Sequence, residues 1–79
     1  MTRLANFSGQ DIIRILQKHF GFFFVSQKGS HIKIRCSSPG RIATTIVPDH
    51  SELAPGTVRG ILDQAQVAVD DFLRATGRL

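Results

Sequence analysis

The stretch Gln27-Lys28-Gly29-Ser30-His31-Ile32-Lys33-Ile34-Arg35 gathers most of the residues in this chain that can do chemistry. One histidine stands among Lys28, Lys33 and Arg35, with Gly29 and Ser30 just before it. Imidazole, with a reference pKa of about 6.5, exists in both protonation states near neutral pH and can give or take a proton. Lysine and arginine suit the stabilisation of developing negative charge. Together these residue types describe proton transfer beside an anion such as phosphate. From the pattern alone His31 reads as an acid or base, or as a surface strand histidine with no task, and both readings stay open. Ser30 reads first as a turn-shaping residue, and Gly29 as a place where a ligand backbone approaches closely. His50 reads as a loop residue before a helix or as a second acid or base. His19 sits where a helix ends, and a cation there suits the helix dipole.

The distribution of charge sharpens this. From Ile12 to Pro48 there is no carboxylate, while Arg14, Lys18, Lys28, Lys33, Arg35 and Arg41 all fall inside that span. The acids Asp11, Asp49, Glu52, Asp63, Asp70 and Asp71 lie outside it. The formal charge is +4 on 79 residues. Cations without local counter-charge favour an external anion, and phosphate is the commonest such anion. The single cysteine, Cys36, has no disulfide partner and no companion for a metal site, and reads as a small buried strand residue. No carboxylate cluster accompanies the basic block, which disfavours two-metal nuclease chemistry; neither metal nor cofactor is expected. No apolar run approaches the roughly 18 residues that cross a bilayer. The N-terminal MTRLANFSG has no signal-peptide pattern. The expectation is a cytoplasmic protein with no membrane role.

Beyond the motif, 79 residues predict a single domain over 1–79, with one thin core, since a chain this size buries about 60 to 65% of its unfolded surface. Ser8 and Asp11 form a capping-box pattern, and Ile12, Ile13, Leu16 and Phe20 recur at helical spacing up to Gly21. Phe22 to Gln27 read as a strand, with Phe22, Phe24 and Ser26 on one face and Phe23, Val25 and Gln27 on the other. A tight connection leads to a second strand over His31 to Cys36, where Ile32, Ile34 and Cys36 oppose His31, Lys33 and Arg35. Ser38-Pro39-Gly40-Arg41 fits a type II turn before a third strand, Ile42 to Val47. Pro55 opens a second helix with an apolar stripe of Val58, Ile61, Leu62, Ala65 and Val69. Gly60 inside it costs about 1 kcal/mol against Ala, and close packing on the sheet is the expected reason. A last helical piece covers Val69 to Thr76. The order α-β-β-β-α-α predicts an α+β domain, a three-stranded antiparallel sheet with helices on one face. His31, Lys33 and Arg35 then stand on the open face.

With these elements in place the chain resembles the HicA toxins. Ser8-Gly9, Gly21-Phe22, Gln27-Lys28-Gly29-Ser30-His31, Val47-Pro48-Asp49-His50, Glu52-Leu53-Ala54-Pro55-Gly56-Thr57 and Val58-Arg59-Gly60-Ile61-Leu62 carry the likeness, which runs from Ser8 to about Phe72. The resemblance implies a fold related to the double-stranded-RNA-binding domain. It also implies an mRNA-cleaving toxin of a bacterial toxin–antitoxin pair, a catalytic histidine at His31, and a HicB antitoxin that binds and silences it. The chain departs from the family pattern at Ser26, where a basic residue is frequent, and at Gln66 and Ala68, where Gly and Ser are frequent.

Ribonuclease action without a metal is consistent with this set, because RNA supplies its own 2′-hydroxyl nucleophile. The competing classes are a small nucleic-acid-binding module that uses the same basic face without turnover, and a subunit whose basic face recognises an acidic protein. Salt-dependent RNA affinity without cleavage marks the first, and no nucleic-acid affinity marks the second.

Overall fold

A computed structural model describes residues 3–78; residues 1, 2 and 79, the ends of the expected 1–79 domain, lie outside the described residues. Its elements are α1 (Gly9–Phe20), β1 (Phe22–Lys28), β2 (His31–Ser38), β3 (Arg41–Pro48), α2 (Pro55–Ala65) and α3 (Val69–Thr76). The sheet is antiparallel in the order β1-β2-β3. The architecture is α+β, as the pattern predicts. Among the described residues no helix is long and apolar enough to cross a membrane.

Local chemistry explains where the elements start and stop. Ser8 Oγ accepts from the Asp11 N–H at 3.0 Å while Asp11 accepts from the Ser8 N–H at 2.9 Å, a reciprocal cap for α1. Gly21, at φ 74°, takes the left-handed turn that ends it. The β1–β2 turn pairs Lys28 with His31 around Gly29 and Ser30. Gly29 alone of the two has positive φ, 59°, as a type II′ turn requires. Gly40 at φ 79° fills the third position of the expected type II turn.

The helices cover the face formed by Phe22, Ile32, Ile34, Cys36, Ala43, Thr45 and Val47, all buried. Burial of apolar area on this scale is the main stabilising term, at about 25 cal/mol per Å². Thr45 is the polar member; its Oγ1 lies 3.2 Å from the Ile61 carbonyl and 3.0 Å from Gln64 Oε1, so its hydroxyl is satisfied under α2. Leu4, Phe7, Leu53 and Val67 complete the core from outside the strands and helices. Phe7 meets Phe72 edge to face at 5.3 Å, with the Arg78 guanidinium 4.0 Å above the Phe7 ring.

Three expectations are corrected. Gly60 is exposed, and nothing lies within 4 Å of where its Cβ would be, so it is not explained by packing on the sheet. Val69 begins α3 rather than extending the stripe of α2. The third correction concerns β1, where strict alternation fails: Phe24 pairs with Ile34 but Ser26 with Lys33, leaving Val25 as an extra residue in a β-bulge. Ser26 therefore shares the open face with Phe23 instead of the covered face with Phe22.

The α2–α3 break forms without the frequent Gly and Ser. Gln66 takes φ 59°, with its N–H on Asp63 O and the Val67 N–H on Leu62 O at 3.0 Å, a Schellman arrangement sealed by buried Leu62 and Val67. Arg41 donates to Ala65 O at 3.0 Å and Gln66 O at 2.6 Å. These charge-assisted bonds offset the roughly 1–2 kcal/mol that a non-glycine residue loses in the left-handed region.

Candidate functional site

The register places the open face in ranks across the three strands. The first is Lys28–His31–Pro48, the second Ser26–Lys33–Ile46 and the third Phe23–Arg35–Thr44. Directly opposed residues on antiparallel strands share a face, so the hairpin brings Lys28 to the side of His31. The first two ranks surround a depression of about 420 Å³ lined by Ser26, Lys28, His31, Lys33 and Ile46. His31 is exposed and Lys33 half-buried. Among the described residues none of Lys28, His31, Lys33 and Arg35 makes an ion pair; those present join Arg14–Asp11, Arg59–Asp63 and Arg74–Asp71 on the helices.

The other site residues expected from sequence fall around this depression. Gly29 and Ser30 form the turn at its rim. Gln27 Nε2 donates to Gly29 O at 3.0 Å, and the Asp49 N–H donates to Ser30 O at 2.7 Å. Arg35 sits one rank beyond, its Nε–H donated to Thr44 Oγ1 at 3.0 Å, which turns the guanidinium toward β3. His50 is exposed and outside the lining; its backbone carbonyl accepts the Gly9 N–H at 2.9 Å. The structure therefore brings Lys28, His31 and Lys33 together and leaves the His50 imidazole out of the set.

Besides Arg35, two further cations of the acid-free span have partners. Arg14 pairs with Asp11 at 3.2 Å, just outside the span, and Arg41 caps α2. Sequence reasoning missed Ser26, Ile46 and Phe23 as open-face residues. The signal is strand register: read backwards from the Lys28–His31 pair through the bulge it places Ser26 and Phe23, and the β2–β3 pairing places Ile46 opposite Lys33.

Charge is divided along the same lines as the layers. Residues 22–48, the strands and their turns, hold Lys28, Lys33, Arg35 and Arg41 with no acid, which equals the whole net charge of +4. The remaining six cations and six acids cancel. Among the described residues no group of three or more His, Cys, Asp or Glu is placed to hold a metal ion.

Fold and site thus define a small α+β protein that presents a basic, histidine-bearing sheet face. A family model described as the HicA toxin of bacterial toxin-antitoxin matches residues 9–67. The chain belongs to that family, and with it to the toxins of toxin–antitoxin systems. No curated protein and no solved structure matches the chain.

Proposed function

We propose that this toxin is a metal-independent endoribonuclease that cleaves mRNA, with His31 as its catalytic group, in a cytoplasmic setting and as one toxin domain. The observation that carries the reading is His31 between Lys28 and Lys33 in a depression on the uncovered sheet face. Membership in the toxin family supports it, as does an α+β layout of the kind a double-stranded-RNA-binding-domain relative would have.

In this reading the RNA 2′-hydroxyl beside the scissile phosphate is the nucleophile. Neutral His31 takes its proton, or protonated His31 delivers one to the departing 5′-oxygen. One imidazole cannot do both in the same step. Water fills the other role, His50 being its alternative only if the 48–50 loop brings it inward. Lys28 and the backbone N–H groups of Gly29 and Ser30 stabilise the more negative phosphorus centre, while Lys33 and Arg35 hold flanking phosphates. A HicB-type antitoxin silences the toxin by covering the His31 face and meeting Lys28, Lys33 or Arg35 with carboxylates.

The test is His31→Ala. Its exposed position predicts an unchanged fold and retained RNA binding, with cleavage reduced by at least about 10²-fold. Wild-type cleavage is expected to survive a chelator, to stop at a site bearing 2′-deoxyribose, and to leave 2′,3′-cyclic phosphate and 5′-hydroxyl ends. Full-rate cleavage by His31→Ala would overturn the assignment. Salt-dependent RNA binding by a wild type that never cuts would leave a binding module instead.

A further inference from the structure

The core explains every buried phenylalanine, but not Phe23. The residue is 46% exposed, although it stands within a paired strand. Register puts it on the open face opposite Arg35. Arg35 does not cover it, since Nε–H is committed to Thr44 on the far strand. The ring contacts of the described residues join Phe7 with Phe72 and with Arg78, and leave Phe23 without an aromatic or cationic cover.

The surroundings distinguish a nucleobase platform from an apolar patch built for a protein. Phe23 is flanked by Arg35 and Thr44 in its own rank and by Ser26 and Lys33 in the next, the exposed Ile46 of that rank lying two strands away on β3. A flat π surface set among cations fits a base whose two neighbouring phosphates are held beside it. A protein anchor instead requires a hydrophobic pocket that excludes water around it. Distance agrees. Along β2 the step from His31 to Arg35 is four residues, about 13 Å at the strand rise, a span of roughly two extended nucleotides.

We propose that Phe23 is a base-stacking residue that selects unpaired RNA, receiving a base about two nucleotides from the phosphate held at Lys28, His31 and Lys33. This deepens the nuclease reading and rests on it. The base lies against the ring while Arg35, oriented by Thr44, contacts the phosphate between that base and the reacting one. A duplex keeps its base faces stacked on each other, so it cannot use the ring. The face then prefers single strands, loops and bulges, where aromatic side chains reach bases.

The experiment measures binding of the full chain to a short single-stranded 2′-O-methyl RNA, which lacks the nucleophile, and to the same sequence as a duplex. Phe23→Ala is expected to weaken single-strand binding by roughly 5- to 150-fold, with the slope of log Kd against log salt unchanged, because stacking releases no counterions. Phe23→Trp should recover most of the loss. Phe24→Ala is the control: that ring is also exposed but pairs with Ile34, in phase with the covered face, and its affinity should stay within about twofold. Duplex affinity should be alike in all four proteins. Equal single-strand affinity in Phe23→Ala and wild type, with Lys33→Glu weakened, overturns stacking and leaves the proposed function standing. A wild type without RNA affinity removes both. Loss of antitoxin binding by Phe23→Ala with RNA affinity intact assigns the ring to a protein partner and overturns the proposal.

Discussion

A Cβ at Gly9 would run into the Pro48 carbonyl oxygen and press on Asp49 Cα, so the first turn of α1 lies directly against the exit of β3. The Gly9 N–H holds His50 O, and the next residue toward the strand, Asp49, holds Ser30 O. A chain of contacts therefore runs from helix α1 through the 48–50 loop to the hairpin that carries the site. Gly9→Ala is expected to destabilise the protein by about 1–3 kcal/mol, the range of an overpacked position, and to reduce cleavage beyond the loss of folded protein. A denaturant midpoint equal to wild type would show that the loop yields freely. Within the same helix turn, the Asp11 carboxyl is held below its ordinary value, first by the Ser8 N–H, with desolvation opposing and the Ser8 hydroxyl and Arg14 assisting. A depressed folded pKa means that this stabilisation is complete above the unfolded carboxylate value and is lost as pH falls through the folded one. The stability gap between wild type and Asp11→Asn should thus narrow on the acid side of about pH 4. A gap constant from pH 7 into that range would sink the assignment. At this scale the sequence was informative wherever short-range chemistry decides: the Ser8–Asp11 cap, Gly21, Gly29 and His31 all lie where local rules put them.

The bulge at Val25 shows what local rules could not reach. Strict alternation ties Phe22 and Lys28 to one face, yet Phe22 belongs to the core and Lys28, by the two-residue turn, must accompany His31. One extra residue between Phe24 and Ser26 resolves the conflict. Nothing in Phe22-Phe23-Phe24-Val25 announces it, because apolar groups occupy both phases. The conflict appears only when the strand is read from both ends. Deleting Val25 should accordingly give a regular strand that keeps Phe22 in and Lys28 out. Cooperative unfolding should persist, with a change of about 1 kcal/mol or less. Loss of cooperativity would mean that the bulge supports the sheet in some further way. The α2–α3 break was opaque for a related reason. Its local cap, the Gln66 and Val67 N–H groups on Asp63 O and Leu62 O, is held by Arg41, distant in sequence, where Gly and Ser would have announced it.

For the molecule as a whole, the layer order and the open face followed from helix and strand periods, whereas the occupants of the core outside regular elements, Leu4, Phe7, Leu53 and Val67, did not. Such residues carry no period and are buried only by tertiary packing. Charge reversal tests the face as a unit. Lys33→Glu with Arg35→Glu should weaken single-strand binding across sequences and flatten its salt dependence by about 0.7 for each phosphate no longer neutralised. An unchanged slope would move the RNA path elsewhere, toward Arg14 and Lys18 on α1. Because the helical side and the loops balance six cations against six acids, the full +4 belongs to residues 22–48. On a sulfonated cation-exchange resin the free chain is therefore retained mainly through one surface. A partner seated on that surface hides Lys28, Lys33 and Arg35, three of the four uncompensated charges, Arg41 being turned to the α2–α3 break, and the complex elutes early whatever its size, so that elution volume alone reports how much toxin in a sample is uncovered.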